Sequence, residues 1–130
     1  MKKSVLTLTR AKEIAEAARI EAESNGWPVV IAIVDDGGHL IYLERADGTQ
    51  FGSVEIAIAK AKSAIAMKRS TKEWESRIAA GRLGILALPE MIPVEGGVPI
   101  AIDGDLAGAI GVSGVTSVQD GQIAAAGVAA

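Results

Sequence analysis

Apolar residues recur every third or fourth position early in the chain, at Ile14, Ala17, Ala18 and Ala22, and this period predicts a helix from Thr9, as its cap, to about Asn25, with Gly26 and Pro28 ending it. The pattern then changes. "PVVIAIVDDGGHLIYLER" holds two β-rich runs on either side of Asp-Asp-Gly-Gly, whose glycines accept positive φ, so two antiparallel strands are expected at about Val29–Val34 and His39–Glu44. Helical spacing returns from Val54 to Met67, with Ser53 as the expected cap and Glu55 near the positive end. Ser70-Thr71-Lys72-Glu73 has capping-box spacing and opens a third helix that stops near Gly81.

Two prolines in "LGILALPEMIPVEGG" leave room for at most a short strand near Met91–Val94. "VPIAI" and "LAGAIGVSG" flank Asp103-Gly104-Asp105 and form a second hairpin; Thr116 and Gln119 then repeat the capping-box spacing before an alanine-rich closing helix, which Gly121 and Gly127 weaken. The predicted order is α-β-β-α-α-β-β-β-α. Strands arrive in hairpins rather than alternating singly with helices, so the fold class is α+β, an antiparallel sheet covered by helices, and a parallel doubly wound sheet is disfavoured.

With 130 residues, the chain is expected to form one domain over residues 1–130. Hydrophobic residues reach 49% but aromatics only 3%, so Ala, Val, Ile and Leu must build the core, which suits thin helices lying close to a sheet. Thirteen basic against sixteen acidic residues, a net charge of -3, argue against nucleic acid as a partner. The absence of cysteine removes disulfides, thiolate metal sites and cysteine nucleophiles. "MKKSVLTLTRAK" starts basic but sustains no apolar stretch, and charges or Gly-Pro breaks interrupt every later run; the expectation is a cytoplasmic chain without a membrane partner.

The glycine-rich stretch "EGGVPIAIDGDLAGAIGVSG" raises the question of phosphate binding. A phosphate-cradling Walker loop needs a lysine that this stretch lacks, and Gly108, Gly111 and Gly114 have GxxGxxG spacing within a strand rather than GxGxxG before a helix. What remains is a bent strand or a close-packed helix, an anion nest at Gly96-Gly97, or a ligand against a side-chain-free surface.

His39 is the only histidine, hence the one candidate for imidazole chemistry, although a strand-end position also suits a plain surface residue. Asp35 and Asp36 can pair with its ring or serve the turn. Arg45 and Asp47 bracket Ala46 in a polar connection, where a guanidinium can meet a carboxylate ligand or form a surface pair. Lys60 and Lys62 lie on the alanine-rich helix, where snorkelling to water is the usual fate and desolvation beside a pocket the functional one. No GxSxG elbow supports acyl transfer.

The ordered set "IAIVDDGGHLIYLERADG", "IAIAKAKSAIA" and "EGGVPIAIDGDLAGAIGVSG", across about Val29 to Gly127, resembles the GlcG/HbpS family, which includes the C-terminal domain of PduO-type proteins. Ala46 departs from the methionine common there. The resemblance implies a profilin-like fold and a homo-oligomer, a dimer, tetramer or octamer. It also implies a small-molecule ligand, haem or a related tetrapyrrole, with a role in haem sensing or degradation. No structural metal is expected.

A haem site needs an axial donor, an apolar slot and cations for the propionates. His39, Tyr42, Met67 and Met91 are the possible donors and Arg45, Lys60 and Arg69 the possible cations; the expected ligand-binding set is His39, Arg45, Asp47, Lys60, Gly96 and Gly97. The alternatives are an organic-acid binder or enzyme with Arg45 as clamp and Asp47, Lys60 or His39 as acid–base partners, or an accessory subunit of a catabolic pathway.

Overall fold

The computed structural model describes residues 3–130. Helix α1 spans Leu8–Ser24 and buries Ala11, Ile14, Ala15, Ala18 and Ala22. Its cap is Thr7 rather than Thr9, because it is the Thr7 hydroxyl that accepts from Arg10 N, at 3.1 Å. Gly26, at φ +71°, turns the chain out of the helix.

Strands β1 (Val30–Asp35), β2 (Leu40–Arg45), β3 (Gly97–Ile102) and β4 (Asp105–Ser113) form one sheet in the order β2-β1-β4-β3, every neighbour antiparallel. The two predicted hairpins are thus present, and β1 and β4 join them at the centre. Strand β1 is an unbroken apolar run because both its faces are covered. Ile31 and Ile33 pack with α1, while Val30, Ala32 and Val34 meet the alanines of α2 (Gly52–Met67). Helix α4 (Ser117–Val128) lies beside α1 and puts Ile123 and Ala124 into the same core layer. This is the α+β antiparallel arrangement read from the sequence.

The glycine stretch resolves into close packing. A Cβ on Gly111 would collide with the carbonyl oxygen of Ala57 and stand 2.7 Å from Ala61 N, and one on Gly97 would collide with the carbonyl oxygen of Lys60. The backbone of α2 therefore rests directly on β3 and β4. Gly104, at φ +85°, with Asp103 at +50°, makes the tight β3–β4 turn.

Three local expectations give way. Met91–Val94 forms no strand: Pro93 has no N–H to donate, Ile92 N donates to Ser63 Oγ at 3.1 Å, and Val94 N closes a turn on Ile92 O. A 3₁₀ turn at Leu83–Ala87 precedes it, and Ile85 and Met91 pack on Trp74 of α3 (Thr71–Ala79). Ser53 does not cap α2, which begins at Gly52; Ser53 is buried inside its first turn and accepts from Gln50 Nε2 at 3.1 Å. Ser70 stands at the head of α3 without a side-chain cap bond, and Glu73 instead pairs with Arg77 at 2.7 Å. The Thr116–Gln119 capping box forms both its bonds. Among the described residues no helix is long and apolar enough to cross a membrane.

Candidate functional site

The first hairpin turn is organised by one carboxylate. Asp35 Oδ1 accepts from Gly37 N and His39 N, each at 2.9 Å, and lies 3.3 Å from His39 Nδ1. The backbone N–H of His39 does most to hold the Asp35 carboxyl below its ordinary value, and Gly37 N–H and the imidazole add to it. Asp35 thus serves both the turn and the ring. A carboxylate on Nδ1 leaves Nε2 as the remaining ligating nitrogen of the imidazole, the arrangement common behind metal-bound histidines. Gly37 is part of the device, since a Cβ there would lie 2.9 Å from both Cε1 and Nδ1 of His39. The imidazole itself is 82% exposed.

Beside this turn the C-terminal end of α2 and the β3–β4 turn leave two adjoining hollows. One, of about 350 Å³, is lined by His39, Lys62, Ile65, Ala66 and Glu90 among others. The other, of about 480 Å³, shares Asp36 and Ile65 and adds Lys3, Lys68 and Leu106. Lys3 is held by Asp36, whereas Lys62 and Lys68 pair with no carboxylate among the described residues. Ile65, Ala66 and Leu106 supply the apolar part of the lining, and the rim carries Lys62 and Lys68 together with the carboxylates of Asp36, Glu90 and Asp105. His39 stands at the edge of these hollows. Of what a haem site needs, these hollows offer an imidazole oriented from behind, the aliphatic surface of Ile65 and Ala66 and two ammonium groups, beside three carboxylates.

Lys60, Gly96 and Gly97 come together as well, but in a buried contact. Lys60 is 1% exposed, and its amine donates to Val112 O at 2.9 Å and to Asp120 Oδ2 at 3.1 Å. It does not snorkel, because Ala57, Ala61 and Ala64 set this face of α2 against the sheet and Asp120 supplies a counter-charge inside. Gly96, at φ +135°, leaves the space that the Lys60 chain fills: a Cβ there would stand 2.8 Å from Lys60 Nζ. Gly97 N donates to Thr71 Oγ1 at 2.9 Å. The two glycines present no open nest. Burial pushes the Asp120 carboxyl up against the pull of Lys60 and of the Val115 and Gly114 N–H groups. Sequence reasoning passes over Asp120; its place in the first turn of a capped helix was the available signal.

Arg45 and Asp47 lie elsewhere, at a hollow of about 440 Å³ between the end of β2 and the last turns of α1, with Trp27, Arg19, Glu23 and Glu44. Neither pairs with the other. Burial raises the Glu44 carboxyl, and Glu23 and Glu16 raise it further against the pull of Arg19, which already holds Glu23 at 2.9 Å and Glu16 at 3.2 Å. Tyr42 packs on the α1 layer, and Met67 and Met91 pack around Trp74.

The family model described as haem degrading protein HbpS-like matches residues 6–129. The chain belongs to the HbpS-like family. It is 41% identical to Protein GlcG of Escherichia coli K12 over 111 residues, 85% of this chain and 83% of that protein. Among solved structures, a double mutant of Streptomyces reticuli HbpS superposes with a TM-score of 0.88 at 32% identity, covering 99% of this chain and 88% of that one. A PduOC–haem complex superposes with a TM-score of 0.86 at 30% identity, covering 97% and 94%.

Proposed function

We propose that this HbpS-like chain is an oligomeric small-ligand-binding protein whose ligand is haem or a related tetrapyrrole, bound at the turn end of the sheet with His39 as axial donor. The observation that carries the reading is the His39 imidazole, fixed on its Nδ1 side by Asp35 at 3.3 Å beside a hollow lined by Ile65, Ala66, Lys62 and Glu90. Relatives named for haem chemistry, one of them solved with haem, support it. Haem, when bound, would supply an iron centre. Of the chain's own residues, Asp35 orients the ring and Gly37 gives it room, while Ile65 and Ala66 would offer haem apolar contact and Lys62 and Lys68 would hold its carboxylates. The family's description as haem degrading supports a role in haem sensing or degradation. Titration of purified protein with hemin tests the reading: a Soret shift is expected in wild type and its weakening or change of shape in His39→Ala. No Soret shift in wild type would overturn it.

A second reading rests on the hollow beside Arg45, which pairs with no carboxylate among the described residues. An organic acid held by Arg45 is expected to raise the melting temperature in wild type and to lose that effect in Arg45→Ala.

A further inference from the structure

The hollow of about 440 Å³ between the end of β2 and the last turns of α1 lies at the opposite end of the first hairpin from His39. Trp27, Ala22, Val29 and Ile31 give it an apolar wall, because Val29 and Ile31 belong to the sheet face that α1 covers. Glu44 stands opposite Ile31 in the β1–β2 register, and residues directly across an antiparallel ladder share a face, so the strand sets its carboxylate beside that wall. Arg45, the last residue of this edge strand, lines the same hollow.

One carboxylate and one guanidinium of this hollow are left without a counter-charge. Glu44 forms no ion pair among the described residues. Arg19 pulls the Glu44 carboxyl down from a distance, but its guanidinium is spent on Glu23 at 2.9 Å and Glu16 at 3.2 Å, and burial outweighs the pull. Arg45 likewise pairs with no carboxylate among the described residues, Asp47 included. A ligand with a carboxylate alone would answer Arg45 and bring one more negative charge to a hollow that already holds Glu44, Glu23 and Asp47. A ligand that carries an ammonium as well offsets that charge and gives Glu44 a charged donor.

Resting on the organic-acid reading of this hollow, we infer that the acid it takes is an apolar α-amino acid in its zwitterionic form, with Arg45 on the carboxylate, Glu44 on the ammonium and Trp27, Val29 and Ile31 against the side chain. Glu44 and Arg45 are consecutive, so both counter-charges come from one place on the rim. That suits a ligand whose charges are gathered at one end and whose side chain lies along the apolar wall.

The test is calorimetric titration of the full chain with L-leucine and L-phenylalanine, each beside the acid that lacks its ammonium (isocaproate, hydrocinnamate) and the amine that lacks its carboxylate (isoamylamine, phenethylamine). At least one of the two amino acids is expected to bind about tenfold or more tightly than either of its halves. Glu44→Gln, which keeps the shape of the side chain and removes its charge, is expected to bring the amino acid down to the affinity of its acid half, and Arg45→Ala to that of its amine half. An acid half that binds wild type as tightly as the amino acid overturns the inference and leaves the organic-acid reading standing, and so does undiminished amino-acid binding in Glu44→Gln. An amine half that binds as tightly as the amino acid overturns both the inference and the Arg45 clamp. No binding of either amino acid overturns the inference, and failure of the acids in the same titrations removes the organic-acid reading with it.

Discussion

Two carboxylates show how differently one side-chain type is used in this fold. Asp120 is buried against Lys60, so Asp120→Ala, which strands the ammonium in the interior, is expected to cost about 3–5 kcal/mol in denaturant unfolding. Replacing both partners with apolar residues of similar size, Lys60→Met with Asp120→Leu, is expected to cost much less, because no uncompensated charge remains. Glu44 is the opposite case, a desolvated carboxylate whose neighbours Glu23 and Glu16 repel it. Its folded value lies above the ordinary 4.5, so its contribution to stability is complete below that pH and is lost as pH rises through the higher folded value. Glu44→Gln should therefore raise the melting temperature at neutral pH, by the equivalent of under about 1 kcal/mol, and flatten that part of the stability profile. Asp35 runs the other way. Its value is lowered, so its contribution is present above the ordinary 3.8 and lost as pH falls through the folded value, and Asp35→Asn should remove that acid loss. At this scale the sequence disclosed residue types more readily than partners: His39 with Asp35 follows from a four-residue turn, whereas Lys60 with Asp120 spans sixty positions and needs the tertiary fold to bring it together.

At the scale of elements, the sheet accepts α2 because of where its side chains are missing. Gly111→Ala forces a methyl into the Ala57 carbonyl and is expected to cost about 3 kcal/mol or more, since backbone on both sides must move. Gly52→Ala, at the first residue of α2 with nothing within 4 Å of a new Cβ, is expected to be neutral or to stabilise by up to about 1 kcal/mol. Thermal unfolding of the two variants side by side separates a packing glycine from a merely permissive one. The hairpins and most of the helices were legible because Asp-Asp-Gly-Gly, Asp-Gly-Asp and alanine periodicity are local signals. Ser53, Ser70 and Met91–Val94 were not, because the first is buried inside the first turn of α2 and bonded to Gln50, the second leaves its helix end without a side-chain bond, and the third is spent on Ser63 and a turn instead of a ladder.

For the whole molecule, the three-layer arrangement fixes where a ligand can go. Helices cover both faces of the sheet and α2 seals the glycines, which leaves hollows at the turn end, where His39, Lys62, Lys68 and Ile65 gather, and between β2 and α1. The sequence singled out His39 from its uniqueness; it did not reveal Lys62, Lys68 or Ile65 as its neighbours, since the turn and the end of α2 meet only through the fold. Light scattering is expected to show an assembly of two or more chains at micromolar concentration. The most direct measurement of the central claim is anomalous scattering at the iron edge from crystals grown with hemin. The iron is expected within bonding distance of His39 Nε2; iron located away from the turn end, or none bound, would contradict the account.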